Sequence, residues 1–113
     1  METNEMTLAK AMWDELEKLF DSAISEKRHL TIRFDAYENV TATPDDQETV
    51  MKAICKAEER VSRTIGTPVK WTLPTLHYFA KFAKAHGGIQ KYHYVSGETD
   101  EMVDYSAYYE FSV

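Results

Sequence analysis

Residues 71–95, WTLPTLHYFAKFAKAHGGIQKYHYV, restrict the fold more than any other stretch, because an amphipathic helix passes into a strand with only a glycine pair between them. Thr72 stands where an N-cap is wanted, Pro74 lies in a first turn that does not need its N–H, and Gly87-Gly88 supplies a stop with φ > 0. The spacing predicts a helix over 73–86. Leu76, Phe79, Ala80 and Ala83 recur at i, i+3, i+4 and i+7 as its buried stripe, while His77, Lys81 and Lys84 share a second, basic face.

The remaining elements follow from the same two periods. A helix over 6–24, capped by Asn4 or Thr7, carries Leu8, Met12, Leu16, Leu19, Phe20 and Ala23 on one stripe and acids on the other, with Trp13 as a core anchor at the edge. Residues 29–36, HLTIRFDA, alternate: Leu30, Ile32 and Phe34 face one way, Thr31, Arg33 and Asp35 the other. That pattern describes a strand with one solvated face. Residues 37–42 read as the strand end and then a loop. Thr43-Pro44-Asp45-Asp46 is a strong helix start, and the helix continues to Gly66 with Val50, Ile54, Ala57, Val61 and Ile65 as core and Met51 and Cys55 alongside. An extended connector over 67–71 follows, Pro68 disfavouring helix before it. The chain then forms a hairpin from strands within 89–95 and 102–113, in which Tyr105, Ala107, Tyr109, Phe111 and Val113 share the core face.

The predicted order is helix, strand, helix, helix, strand, strand. At 113 residues this is one domain, 1–113. Two architectures use the order: an α+β layer in which helices cover an antiparallel sheet, and a winged helix. The α+β layer is favoured, since a helix from Asp46 to Ile65 is long for a helix-turn-helix and Pro68 interrupts the approach to the next one.

Charge is segregated along the chain. The net charge is −6, but residues 1–59 hold fourteen acids and seven bases, residues 60–97 six bases and no acid, and residues 98–113 five acids and no base. Hydrophobic content of 43% without an apolar run of the ~20 residues a membrane span requires suggests a soluble protein. The start METNEM lacks the pattern of a secretory signal and the single Cys55 has no partner for an internal disulfide, so a cytoplasmic location is expected.

Motifs for catalysis are not found. His29, His77, His86 and His93 have no metal-ligand spacing, so neither a metal nor another cofactor is expected. Cys55 falls mid-helix beside the apolar stripe and reads as a small core residue. Gly87-Gly88 follows a helix, whereas phosphate-cradling glycines precede one. Asp35, Asp104 and the Asp45-Asp46 pair are not brought together by spacing. The aromatics Tyr92, Tyr94, Tyr105, Tyr108, Tyr109 and Phe111 resemble a base-stacking platform, but no Lys or Arg in the last segment would track phosphates. Cross-strand packing, or an acid-rimmed tyrosine surface for a protein, suits them better.

Two functions are compatible with this pattern. The first is a non-enzymatic inhibitor or regulator that docks an acidic surface, built from Glu98, Asp100, Glu101, Asp104, Tyr108, Asp45 and Asp46, on a basic, nucleic-acid-handling protein. In size, charge and lack of catalytic motifs the chain resembles the small phage-encoded inhibitors of host defence, the anti-CRISPR and anti-restriction proteins. That resemblance implies a viral protein with a protein partner. The second is a winged-helix DNA-binding regulator that uses His77, Lys81, Lys84, Lys70 and Lys91 against the backbone and base edges. Either is compatible with a homodimer, and neither involves a membrane.

Overall fold

Thr3 opens the first helix, α1 (Asn4–Ser25), its hydroxyl oxygen accepting from the Met6 N–H at 3.1 Å. The computed structural model describes residues 3–35, 39–89 and 108–113, together with the backbone of 91–95. Eight residues of α1 are buried: Leu8, Ala9, Ala11, Met12, Trp13, Leu16, Phe20 and Ala23. They cover more of its circumference than one amphipathic stripe, because α1 is the central helix of three. The helices α2 (Gln47–Ile65) and α3 (Leu73–Ala85) each pack extensively along it.

Among the described residues the sheet contains four antiparallel strands in the order β2-β1-β4-β3, with β1 at Thr31–Asp35, β2 at Val40–Ala42, β3 at Lys91–Val95 and β4 at Tyr108–Ser112. Ile32 lies opposite Phe111 and Phe34 opposite Tyr109, so the alternating apolar residues of the two central strands form one continuous face. That face is the floor of the core, and Leu30, Ile32, Phe34, Leu76, Phe79 and Phe111 have no exposed surface. The protein is a two-layer α+β domain, as its periodicities imply.

Three local differences have physical causes. Residues 40–42, anticipated as loop, form β2 and pair with β1 through Ile32↔Ala42 and Phe34↔Val40. The Asn39 N–H before β2 also donates to the Asp35 carboxylate at the end of β1 at 3.0 Å. Thr43 does not cap α2 with its side chain; its hydroxyl accepts from the Thr31 N–H at 2.9 Å, and a 3₁₀ turn over Pro44–Asp46 precedes the helix. The connector over 67–71 is strapped to α2 by side chains, with Ser62 accepting from the Val69 N–H at 2.9 Å and Glu58 from the Trp71 N–H at 3.0 Å. Thr72 and Thr75 form the capping box that starts α3, and Gly66, at φ 90°, ends α2 in the left-handed conformation.

The helix arrangement also separates the two architectures considered above. Among the described residues, α2 and α3 pack on α1 far more than on each other, whereas a helix-turn-helix requires its two helices to brace each other directly.

Candidate functional site

Of the residues proposed for an acidic docking surface, Glu98, Asp100, Glu101 and Asp104 lie outside the described residues. Asp45 is exposed on the 3₁₀ turn. Asp46 is a correction: it is 8% exposed and accepts from the Arg28 guanidinium at 2.8 Å, so it ties the end of α1 to the start of α2 instead of facing a partner. Hydrogen bonding to Glu26 first, and then to Asp46, raises the Arg28 pKa above its ordinary value. The acids of α1 are also partly committed within the molecule. Glu15 lies 3.6 Å from Lys56 and 3.8 Å from Arg60, and Asp14 lies 3.8 Å from Arg60. These contacts fix α1 against α2 and reduce the acidic character of that face.

Tyr108 is half-buried at the start of β4, opposite Asp35 of β1 and Val95 of β3. The Arg33 guanidinium carbon stands 4.1 Å from the centroid of its ring, and Arg33 donates to Glu110 at 3.0 Å. This cation–π and ion-pair cluster occupies the sheet face away from the helices. Sequence reasoning did not single out Arg33; its signal was the alternation that sets Arg33 opposite Glu110 in register. Beside it, Thr31 is hydrogen-bonded to His29 at 2.9 Å and Ser112 at 3.0 Å, and His29 also bonds the Val113 carbonyl at 3.0 Å. A shallow depression on this face is lined by His29, Thr31, Arg33, Thr43 and Glu110, among others.

The basic set is distributed differently. His77, Lys81 and Lys84 are exposed along one row of α3, and Lys70 is exposed on the connector before it. His77 is hydrogen-bonded through Nδ1 to the Tyr109 hydroxyl. Lys91 occupies the first position of β3, opposite Ser112. Arg60 and Arg63, which complete the bases of the middle segment together with these, pair with acids on α1 and α2. His86 caps α3: its Nδ1 accepts from the Gly88 N–H at 3.1 Å and its Nε2 meets Asp21 of α1 at 2.8 Å.

Cys55 is a second correction. It is exposed, because the buried row of α2 runs through Val50, Ile54, Ala57 and Val61 and leaves residue 55 turned toward solvent. Among the described residues, no group of three or more His, Cys, Asp or Glu side chains is arranged to hold a metal ion, and no helix is long and apolar enough to cross a membrane. Comparison with protein-family models, with curated proteins and with solved structures finds no match for this chain.

Proposed function

We propose that the protein is a non-enzymatic inhibitor or regulator that docks an acidic surface on a basic, nucleic-acid-handling protein. One observation carries this reading: Val95 and Tyr108 are partners in the β3–β4 ladder, so the twelve residues between them leave and re-enter at one end of the sheet. Those residues contain Glu98, Asp100, Glu101 and Asp104 and no base. Tyr108 is thus the first described residue after a stretch of sequence that carries four carboxylates and no base. Such a combination steers association with a cationic surface and supplies an apolar contact at its centre. A phage-encoded antagonist of a host defence complex, which must compete with nucleic acid for basic surface, is the kind of protein this arrangement suits.

The test is capture from a host lysate by the wild-type protein and by a variant carrying Glu98→Lys, Asp100→Lys and Glu101→Lys, with mass spectrometry of what is retained. A basic nucleic-acid-binding protein enriched by the wild type and lost in the variant is expected. Identical capture by both would remove the acidic segment from the function.

A second reading, direct DNA binding by α3, is favoured by the exposed row His77, Lys81 and Lys84. The same three reversals would strengthen binding to duplex DNA on that reading, since they remove negative charge, so the two readings predict opposite signs.

A further inference from the structure

The strand order leaves two sheet edges, β2 and β3, and the molecule treats them differently. On β1 the ladder phase is set by bonds from the Thr43 N–H to the Thr31 carbonyl and from the Asp35 N–H to the Asn39 carbonyl. In an antiparallel pair the residues between such partners turn their main-chain groups outward. For β2 these are Val40 and Ala42, and both are met: the Gln47 side chain accepts from the Ala42 N–H at 2.6 Å and donates to the Val40 carbonyl at 2.9 Å. One amide of α2 thus takes the place of a neighbouring strand and closes that edge.

The β3 edge has the opposite character. The Val113 N–H donates to the Leu30 carbonyl, so Tyr109 and Phe111 direct their main-chain groups to β1, and Tyr108, Glu110 and Ser112 direct theirs to β3. These meet Val95, His93 and Lys91 in register, which leaves the N–H and C=O of Tyr92 and Tyr94 pointing outward. Among the described residues, no strand pairs with that edge.

Helix α3 leads into β3 and touches it, and its flanks are distinguishable. Lys10 of α1 stands 5.5 Å from the Phe82 ring, which marks the Tyr78–Phe82 side of α3 as the one facing α1. His77 and Lys84 lie on the other side, where His77 reaches Tyr109 of β4, and Lys81 stands between the two flanks with its ammonium 5.4 Å from the Tyr78 ring. Because His77 meets Tyr109 and Tyr109 pairs with Tyr94, this flank of α3 is the one nearer β3, and no acid occurs between residues 60 and 97.

We propose that the outer edge of β3 accepts an acidic, extended segment of a partner protein as a fifth strand, with Lys81 and Lys84 holding its carboxylates. Main-chain bonds to Tyr92 and Tyr94 supply affinity, and the lysine row selects acidic sequence. A duplex would match the charge but has no use for the strand-edge donors and acceptors. A second copy of this chain would match the edge but would bring two basic rows side by side across the two-fold axis. This site is distinct from the acidic segment and of opposite charge.

The experiment uses the full chain and a fluorescent peptide of alternating valine and glutamate, with two control peptides N-methylated on one or the other alternate set of residues. Binding is expected to the parent peptide, to be lost with one methylated set and kept with the other, because only one edge of an added strand faces β3. Lys81→Glu with Lys84→Glu should weaken binding about tenfold, the size expected for two rim charges. Hydrogen exchange should show the Tyr92 and Tyr94 amides gaining protection on peptide addition while the His93 amide, already in the ladder, does not change. No binding of the parent peptide, equal binding of both methylated peptides, tighter binding of duplex DNA through the same lysines, or self-association through β3 would each overturn the proposal. The Glu98, Asp100 and Glu101 reversals should leave peptide binding intact, which separates failure here from failure of the acidic docking reading.

Discussion

Phe79 has no exposed surface and makes edge contacts with three other rings, at 5.6 Å to Trp13, 5.6 Å to Phe34 and 5.1 Å to Phe111. It therefore joins α1, β1 and β4 through one side chain. Phe79→Ala is expected to cost about 3–5 kcal/mol, since truncation leaves a cavity among packed rings; a urea melt coincident with wild type would contradict this. The residue scale also holds the clearest departures from the sequence reading. Core positions such as Leu16, Ile54 and Tyr109 were legible because burial follows period. Cys55 and Asp46 were not: Cys55 follows buried Ile54, where a small rotation of the helix decides exposure, and Asp46 is buried against Arg28, a partner far away in sequence. The exposed Cys55 thiol should react promptly with a thiol reagent in the native protein. Labelling only after denaturation would restore the core assignment.

Helices were more legible than short strands. Each helix carries several turns of amphipathic pattern, so existence and type are over-determined; the end of α2 at Gly66 follows its stop signal, whereas α3 ends at His86 without positive φ at Gly87 or Gly88. Strand β2 has three residues, too few to display a period, and its position depends on a side chain elsewhere in the chain. Gln47 spans Val40 and Ala42 with two hydrogen bonds, a relation that no local pattern encodes. Gln47→Ala is expected to destabilise the protein by about 1–2 kcal/mol, the net value of two partly buried bonds. It should also expose the β2 edge and so raise the tendency to associate. Chemical denaturation with sedimentation measures both effects; unchanged stability and a monomer at all concentrations would show that the edge needs no such closure.

At the scale of the whole molecule, the segregation of charge along the sequence is only partly a segregation in space. Lys56 and Arg60 of α2 pair with Asp14 and Glu15 of α1, so two of the fourteen acids of the first block meet bases on a neighbouring helix. The basic row on α3 stays exposed, and the sequence between the paired residues Val95 and Tyr108 holds four acids and no base. The linear charge blocks were visible in the sequence; which members cancel was not, because it depends on α1 and α2 lying side by side. The net charge of −6 opposes approach to a polyanion. The measurement that tests a protein-binding function most directly is a titration of duplex DNA, at physiological salt, into the wild type, the Glu98/Asp100/Glu101 lysine variant and the Lys81→Glu, Lys84→Glu variant. No appreciable binding by the wild type is expected; sub-micromolar, sequence-selective binding that disappears in the α3 variant would contradict the account.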